Sequence, residues 1–252
     1  MIQILLLILI TITALFLFIY KNRNNFTNEE NILPKIFKIY VIALPKRIEN
    51  MKNFFKKLNI TNYEFIEPVM KDTLDRKKLI NDGVITSNYL FTKNKGRIAC
   101  HLSHLKAIKT FLDSDYEDCI IFEDDLKLID MSITEFNNKV QKAWDNVPEN
   151  YDILYWGRCY DKCNNITVSS NIHKTQKALC RHAYSLSRKG ADIILNNTLP
   201  LKQNIFAGDQ YYKYLMKNKI LKGYSVSPSI FYQNREDLGT NLGNNDNLIE
   251  CI

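Results

Sequence analysis

Glycine and proline are scarce in this chain, with eight and six among 252 residues, and no internal repeat is visible. Because 46% of the residues are hydrophobic, the chain can bury one good core, and its length suits one domain better than two. A block of Lys and Arg is missing too. The formal net charge of +7 is spread along the sequence, which suits an anionic small substrate or an acidic membrane surface. There is no RNA-binding aromatic motif and no zinc-finger spacing, so no nucleic acid partner is expected.

Charge is absent from the first twenty residues, MIQILLLILITITALFLFIY, a run about long enough to cross a bilayer as a helix. It lacks the basic start and the small residues of a cleaved signal peptide. The expectation is a single-pass transmembrane anchor over 1–20, a polar stalk over 21–35 and a catalytic domain over 36–252. Lys21 and Arg23 follow the apolar run, which favours the cytoplasmic face, with the endoplasmic reticulum or Golgi lumen as the alternative.

The six cysteines leave the compartment open. Cys100 and Cys119 lie in segments that read as buried, where free thiols are common. Cys159 and Cys163 are close enough to form a local disulfide or to stay reduced. Two further ligands for zinc are missing from their surroundings. Sequons begin at Asn25, Asn59, Asn165 and Asn196, as an Asn-rich chain produces by chance.

IFKIYVIAL (36–44), YEFIEPV (63–69), DCIIFEDD (118–125), YDILYWG (151–157) and ALCRHAYSLS (178–187) read as strands. Helical spacing runs through KRIENMKNFFKKLN, DTLDRKKLIND, GRIACHLSHLKAIKTFLDS, ITEFNNKVQKAWDNV, RKGADIILNN and QYYKYLMKNK. The closing ILKGYSVSPSIFYQ is extended. Alternating strands and helices predict an α/β fold on a largely parallel twisted sheet flanked by helices. Ligands of such sheets collect beyond the carboxyl ends of the strands.

At that end of CIIF lie Glu123, Asp124 and Asp125. Adjacent carboxylates repel one another, and they offer the hard oxygen ligands that suit Mg²⁺ or Mn²⁺. The bland alternative is an acidic strand end solvated at the surface. Ser103 and His104 interrupt an amphipathic helix, where a hydrogen-bonded His is the commoner finding. His182 invites the same caution. Asp209 stands at a probable helix start, where capping is the plain explanation. Arg47 follows the first strand and could reach a phosphate or simply face solvent.

Together these motifs resemble glycosyltransferase family 25, which includes bacterial lipooligosaccharide galactosyltransferases and procollagen galactosyltransferases. YVIALPKR, GRIACHLSHLKAIK, IIFEDDL, YDILYWGR, HAYSLSRKGADIIL, FAGDQYYKYL and SPSIFYQ…TNL follow the family's order over about residues 36–242. Departures occur at Ala43, Asn50, Arg97, Ala99 and Thr240, none of which touches the acids. The resemblance implies a glycosyltransferase type A (GT-A) fold and transfer of galactose or glucose from a UDP-sugar to a protein or glycan hydroxyl with inversion. It implies Mn²⁺ or Mg²⁺ on Glu123, Asp124 and Asp125. Asp209 is the candidate base, and Arg47, Ser103, His104 and Gln233 are candidates for the donor pocket. A catalytically inactive glycan- or nucleotide-binding module and a metal-dependent phosphohydrolase are the competing readings.

Overall fold

The computed structural model describes residues 30–161, 166–175, 177–202 and 208–234. The expected anchor (1–20) and residues 21–29 of the expected stalk lie outside them. From Asn31 onward the described residues belong to one compact unit. That unit begins within the segment expected to be stalk. Asn31 Nδ2 donates to Leu58 O and its Oδ1 accepts from Leu33 N, both at 2.9 Å. With its amide satisfied in this way, a polar residue can sit buried next to Leu33 in the core.

In chain order come α1 (Leu33–Ile36), β1 (Lys38–Ile42), a 3₁₀ turn (Pro45–Arg47), α2 (Ile48–Lys57) and β2 (Glu64–Ile66). Then follow α3 (Arg76–Asn81), α4 (Phe91–Leu112), β3 (Asp118–Glu123), β4 (Leu126–Leu128) and α5 (Ile133–Trp144). The remainder is β5 (Ile153–Gly157), β6 (Ile166–Ser169), β7 (Ile172–Thr175), β8 (Ala183–Ser187), α6 (Arg188–Asn197), α7 (Asp209–Lys217), β9 (Gly223–Val226) and β10 (Phe231–Gln233). Side chains mark the helix starts: Asp75, Ser132 and Ser187 accept from the backbone N–H of Lys78, Glu135 and Gly190. The helix expected from Gly96 begins earlier, at Phe91, whose ring is buried in the core. That packing outweighs the low helix propensity of Gly96.

Eight strands form one sheet in the order β2-β1-β3-β8-β5-β9-β7-β6. β1 pairs parallel with β2 and β3, and β5 pairs parallel with β9. β8 is inserted antiparallel between β3 and β5, and β7 runs against both β6 and β9. The sheet is therefore mixed α/β with most strands in one direction, β7 and β8 running the other way. β4 and β10 form a separate antiparallel ribbon.

Residue alternation along the strands supplies two cores. Tyr40, Ile121, Tyr155 and Tyr184 face a layer that includes α4, α6 and α7, while Val41, Phe122, Trp156 and Ala183 face α2 and α5. Gly157, at the end of β5, lies where the backbone of β10 and the His182 ring converge. A Cβ there would overlap Phe231 O and His182 Nε2.

Candidate functional site

β3 ends at Glu123, in register with Ile42 at the end of β1. Asp124 and Asp125 form the turn into β4, and the three acids take three different directions.

Asp124 points back into the protein. Its Oδ2 accepts from Leu44 N at 2.7 Å and its Oδ1 from Arg47 Nη1 at 2.8 Å. Both partners of this ion pair are buried, Arg47 at 5% and Asp124 at 8% exposure. The residue expected to help hold a metal and the residue expected to reach a phosphate are thus bound to each other. The pair fixes the turn after β1 against the end of β3.

Glu123 faces α4. His104 Nε2 donates to Glu123 Oε1 at 2.8 Å, and Tyr184 Oη donates to His104 Nδ1 at 2.8 Å. Burial, together with the nearby Arg181 charge, pushes His104 down to about 4, so the ring is neutral. Burial alone would raise the Glu123 carboxyl. The His104 hydrogen bond and the neighbouring charges outweigh it and hold the group at about 2.

Asp125 has the least complete set of partners. Its Oδ2 accepts from Gln233 Nε2 at 3.2 Å, and its carbonyl accepts from Asn234 N at 2.6 Å. Oδ1 is buried with no hydrogen-bond partner. Burial, then the charges of Glu123 and Asp124, push this carboxyl up to about 7. Gln233 is in place because β10 pairs with β4, with Gln233 opposite Leu126.

Because β8 is antiparallel, its entry rather than its exit adjoins the end of β3. Glu123 N donates to His182 O at 2.9 Å. Arg181, 4% exposed, has Nη2 3.4 Å from Cys100 Sγ and Nη1 3.4 Å from His101 Nδ1, and its guanidinium lies 5.0 Å from the centre of the Tyr212 ring. Cys180 N donates to Asp209 Oδ2 at 2.9 Å. Asp209 is the first residue of α7, after Gly208 at φ +86°. His182 Nε2 lies 3.3 Å from Phe231 O, in the floor of the site.

Ser103 is placed elsewhere. Its hydroxyl donates to Ala99 O and accepts from Val69 N, both at 2.8 Å, tying α4 to the segment after β2. Of the two alternatives left open for Cys159, a local bond to Cys163 or a reduced thiol, neither is found: Cys159 is bonded to Cys180. Pairing of β5 with β8 brings the two into reach. Cys100 and Cys119 are free thiols, Cys119 fully buried and Cys100 half-buried.

The donor atoms divide by chemistry. Asp125 Oδ1 is a hard oxygen of the kind Mg²⁺ or Mn²⁺ takes, and Glu123, whose charge bears on Asp125, carries others. Asp124 is turned away from them, each of its oxygens already accepting one hydrogen bond from the protein. The ligating atoms of Cys100, His104 and Glu123 also lie within 4.8 Å of one another. The Arg181 guanidinium at the Cys100 sulfur opposes a second cation there. Sequence reasoning missed Arg181, Cys180 and Cys100. An Arg inside the apolar strand run ALCRHAYSLS was the available signal.

Solved structures that this chain is similar to include A197 from STIV (13% identity, TM-score 0.39, covering 77% of this chain and 83% of that one). Another is a UTP-bound UGPase from Acinetobacter baumannii (10% identity, TM-score 0.45, covering 81% and 90%). At these scores the likeness carries no argument. The chain is also 22% identical over 156 residues to human procollagen galactosyltransferase 2, a match covering 55% of this chain and 24% of the human protein. The family model described as glycosyltransferase family 25 (LPS biosynthesis protein) matches residues 36–212, a span that holds all three acids, the α4 histidines, the entry of β8 and Asp209. On that match, the chain belongs to glycosyltransferase family 25.

Proposed function

We propose that this protein is a hexosyltransferase of GT-A type that moves galactose or glucose from a UDP-sugar to a hydroxyl of a protein or glycan acceptor, with inversion and with Mn²⁺ or Mg²⁺. The observation that carries the reading is Asp125: a buried carboxyl oxygen without a hydrogen-bond partner, two residues from the ionised Glu123, at the carboxyl end of β3. A divalent ion held by Asp125 and Glu123 would offset the negative charge that grows on the departing diphosphate. The protein's own groups prepare this place. Neutral His104, oriented by Tyr184, aims Glu123, while the Arg47–Asp124 pair sets the turn that presents Asp125.

Inverting displacement needs a carboxylate that takes the proton of the attacking hydroxyl. We assign this to Asp209. Cys180 N–H anchors its Oδ2, and Oδ1 is the oxygen assigned to the proton. A binding module would have no use for a buried acid that burial and like charge oppose, which favours the enzyme over the inactive reading.

The test offers UDP-galactose and UDP-glucose with Mn²⁺, with and without saccharide or peptide acceptors, and measures UDP release. Acceptor-dependent release from one hexose donor is expected. Release at an equal rate without any acceptor would establish the phosphohydrolase instead, and binding without turnover would establish the module.

We also infer that the catalytic part faces an oxidising compartment, tethered by residues 1–20. The Cys159–Cys180 disulfide supports this, since such bonds are rare in reducing cytosol. It opposes the orientation suggested by Lys21 and Arg23. Protease protection of sealed vesicles checks it, and digestion from the cytosolic side would overturn it.

A further inference from the structure

The disulfide between Cys159 and Cys180 adjoins groups that hold both carboxylates of the proposed reaction. We propose that it is a positioning element for catalysis, holding Asp209 through Cys180 and Asp125 through Gln233. This rests on the roles assigned to Asp209 and Asp125 above.

Cys180 has φ +66°, in the left-handed region that a residue with a Cβ occupies only when its surroundings enforce it. In that conformation its N–H meets Asp209 Oδ2. The next residue, Arg181, packs so closely on Gly208 that a Cβ there would come within 2.8 Å of Nη2. The entry of β8 and the start of α7 therefore lie in contact, and the position of Cys180 sets that of Asp209.

The other half of the bond reaches Asp125. Cys159 N donates to Leu179 O at 3.1 Å and Leu179 N to Tyr160 O at 2.9 Å. This isolated bridge is short, and the disulfide completes it. Cys159 Sγ lies 2.9 Å from Gln233 Oε1. A disulfide sulfur has no proton to donate, so the contact is one of packing. It fixes one end of the amide while Nε2 donates to Asp125 Oδ2. The two apolar cores are built without Cys180, so a purely stabilising bond would need neither carboxylate contact.

Reduction releases the clamp. Two electrons and two protons convert the bond to two thiols. Tris(carboxyethyl)phosphine supplies the electrons and becomes its phosphine oxide, taking the oxygen from water.

The experiment measures steady-state turnover of UDP-galactose and UDP-glucose by the full chain at saturating Mn²⁺. It is run oxidised, after the phosphine, and after re-oxidation with oxidised glutathione, with Cys159→Ser/Cys180→Ser in parallel and a thermal melt of each sample. The expected loss is about ten- to a hundredfold in kcat, the scale of a misplaced reacting group. The apparent Mn²⁺ requirement rises as well, because Asp125 is held through Gln233, while the Asp209 limb is read in kcat at saturating donor and Mn²⁺. Re-oxidation restores the rate. An unchanged kcat in both the reduced and the doubly substituted protein would overturn the proposal, as would a loss that follows the folded fraction. Asp209→Asn separates the two layers: normal turnover by that variant removes the base assignment, whereas slow turnover with a fully active reduced enzyme removes the clamp alone.

Discussion

Asp124 accepts a hydrogen bond from Arg47 at 2.8 Å in a buried ion pair whose members are 77 residues apart in the chain. Removing one partner leaves an uncompensated buried charge. Arg47→Ala should therefore destabilise the fold by about 3–5 kcal/mol, read as a lower midpoint in urea. An unchanged midpoint would mean that Arg47 is free to act on the donor instead.

Asp125 sets function against stability. Its carboxyl is raised to about 7 from an ordinary 3.8, so the folded state holds its proton over a range in which the unfolded chain has lost it. Stability falls as pH rises through that window, by about 1.4 kcal/mol per pH unit for this one group. Asp125→Asn removes the penalty. In metal-free buffer at pH 8 the variant should melt higher than the wild type, while its turnover with Mn²⁺ drops by about a hundredfold or more. A lower melting point would show that Oδ1 has a partner in solution.

The His104–Glu123 pair gives the opposite slope. His104 is lowered to about 4 and Glu123 to about 2. Both groups bind fewer protons folded than unfolded, His104 between about 6.5 and 4 and Glu123 between about 4.5 and 2. Each contributes stability that is present above its unfolded value and lost on acidification. In the Asp125→Asn background, which removes the opposing slope, urea midpoints at pH 7.5, 5.5 and 4.5 should fall in that order, and adding His104→Phe should flatten the upper part of the decline. A midpoint independent of pH in that background would mean that the pair is not buried as described.

Gly157 offers a packing test. A methyl group there would overlap the β10 backbone at Phe231, so Gly157→Ala should destabilise by about 1–3 kcal/mol. Displaced β10 carries Gln233 with it, and kcat should fall along with the melting point. Wild-type kinetics in this variant would show that β10 is not seated against β5.

The sheet was legible where apolar β-branched runs ended in charge, as in CIIFEDD, because burial on both faces leaves that pattern. Capping of α6 by Ser187 was legible because the hydrogen bond is local, to Gly190 N. The β6–β7 hairpin was not, since TVSSNIHKT carries little apolar signal and its pairing depends on β9. Site residues divide along the same line. His104 and Asp209 could be singled out from their own surroundings. The occupation of Asp124 by Arg47 could not, because it is a tertiary contact between distant segments. Cys180 was hidden for the same reason.

The reversed direction of β8 shapes how this site is held. A strand that leaves a crevice fixes its last residues by ladder hydrogen bonds. A strand that enters from it begins on chain that must be held by other means, here the bridge from Leu179 to Cys159 and Tyr160 and the Cys159–Cys180 disulfide. A change of length in that lead-in would move Cys180 and with it the N–H that Asp209 Oδ2 accepts from, while the rungs between β3 and β8 keep the β3 acids in register.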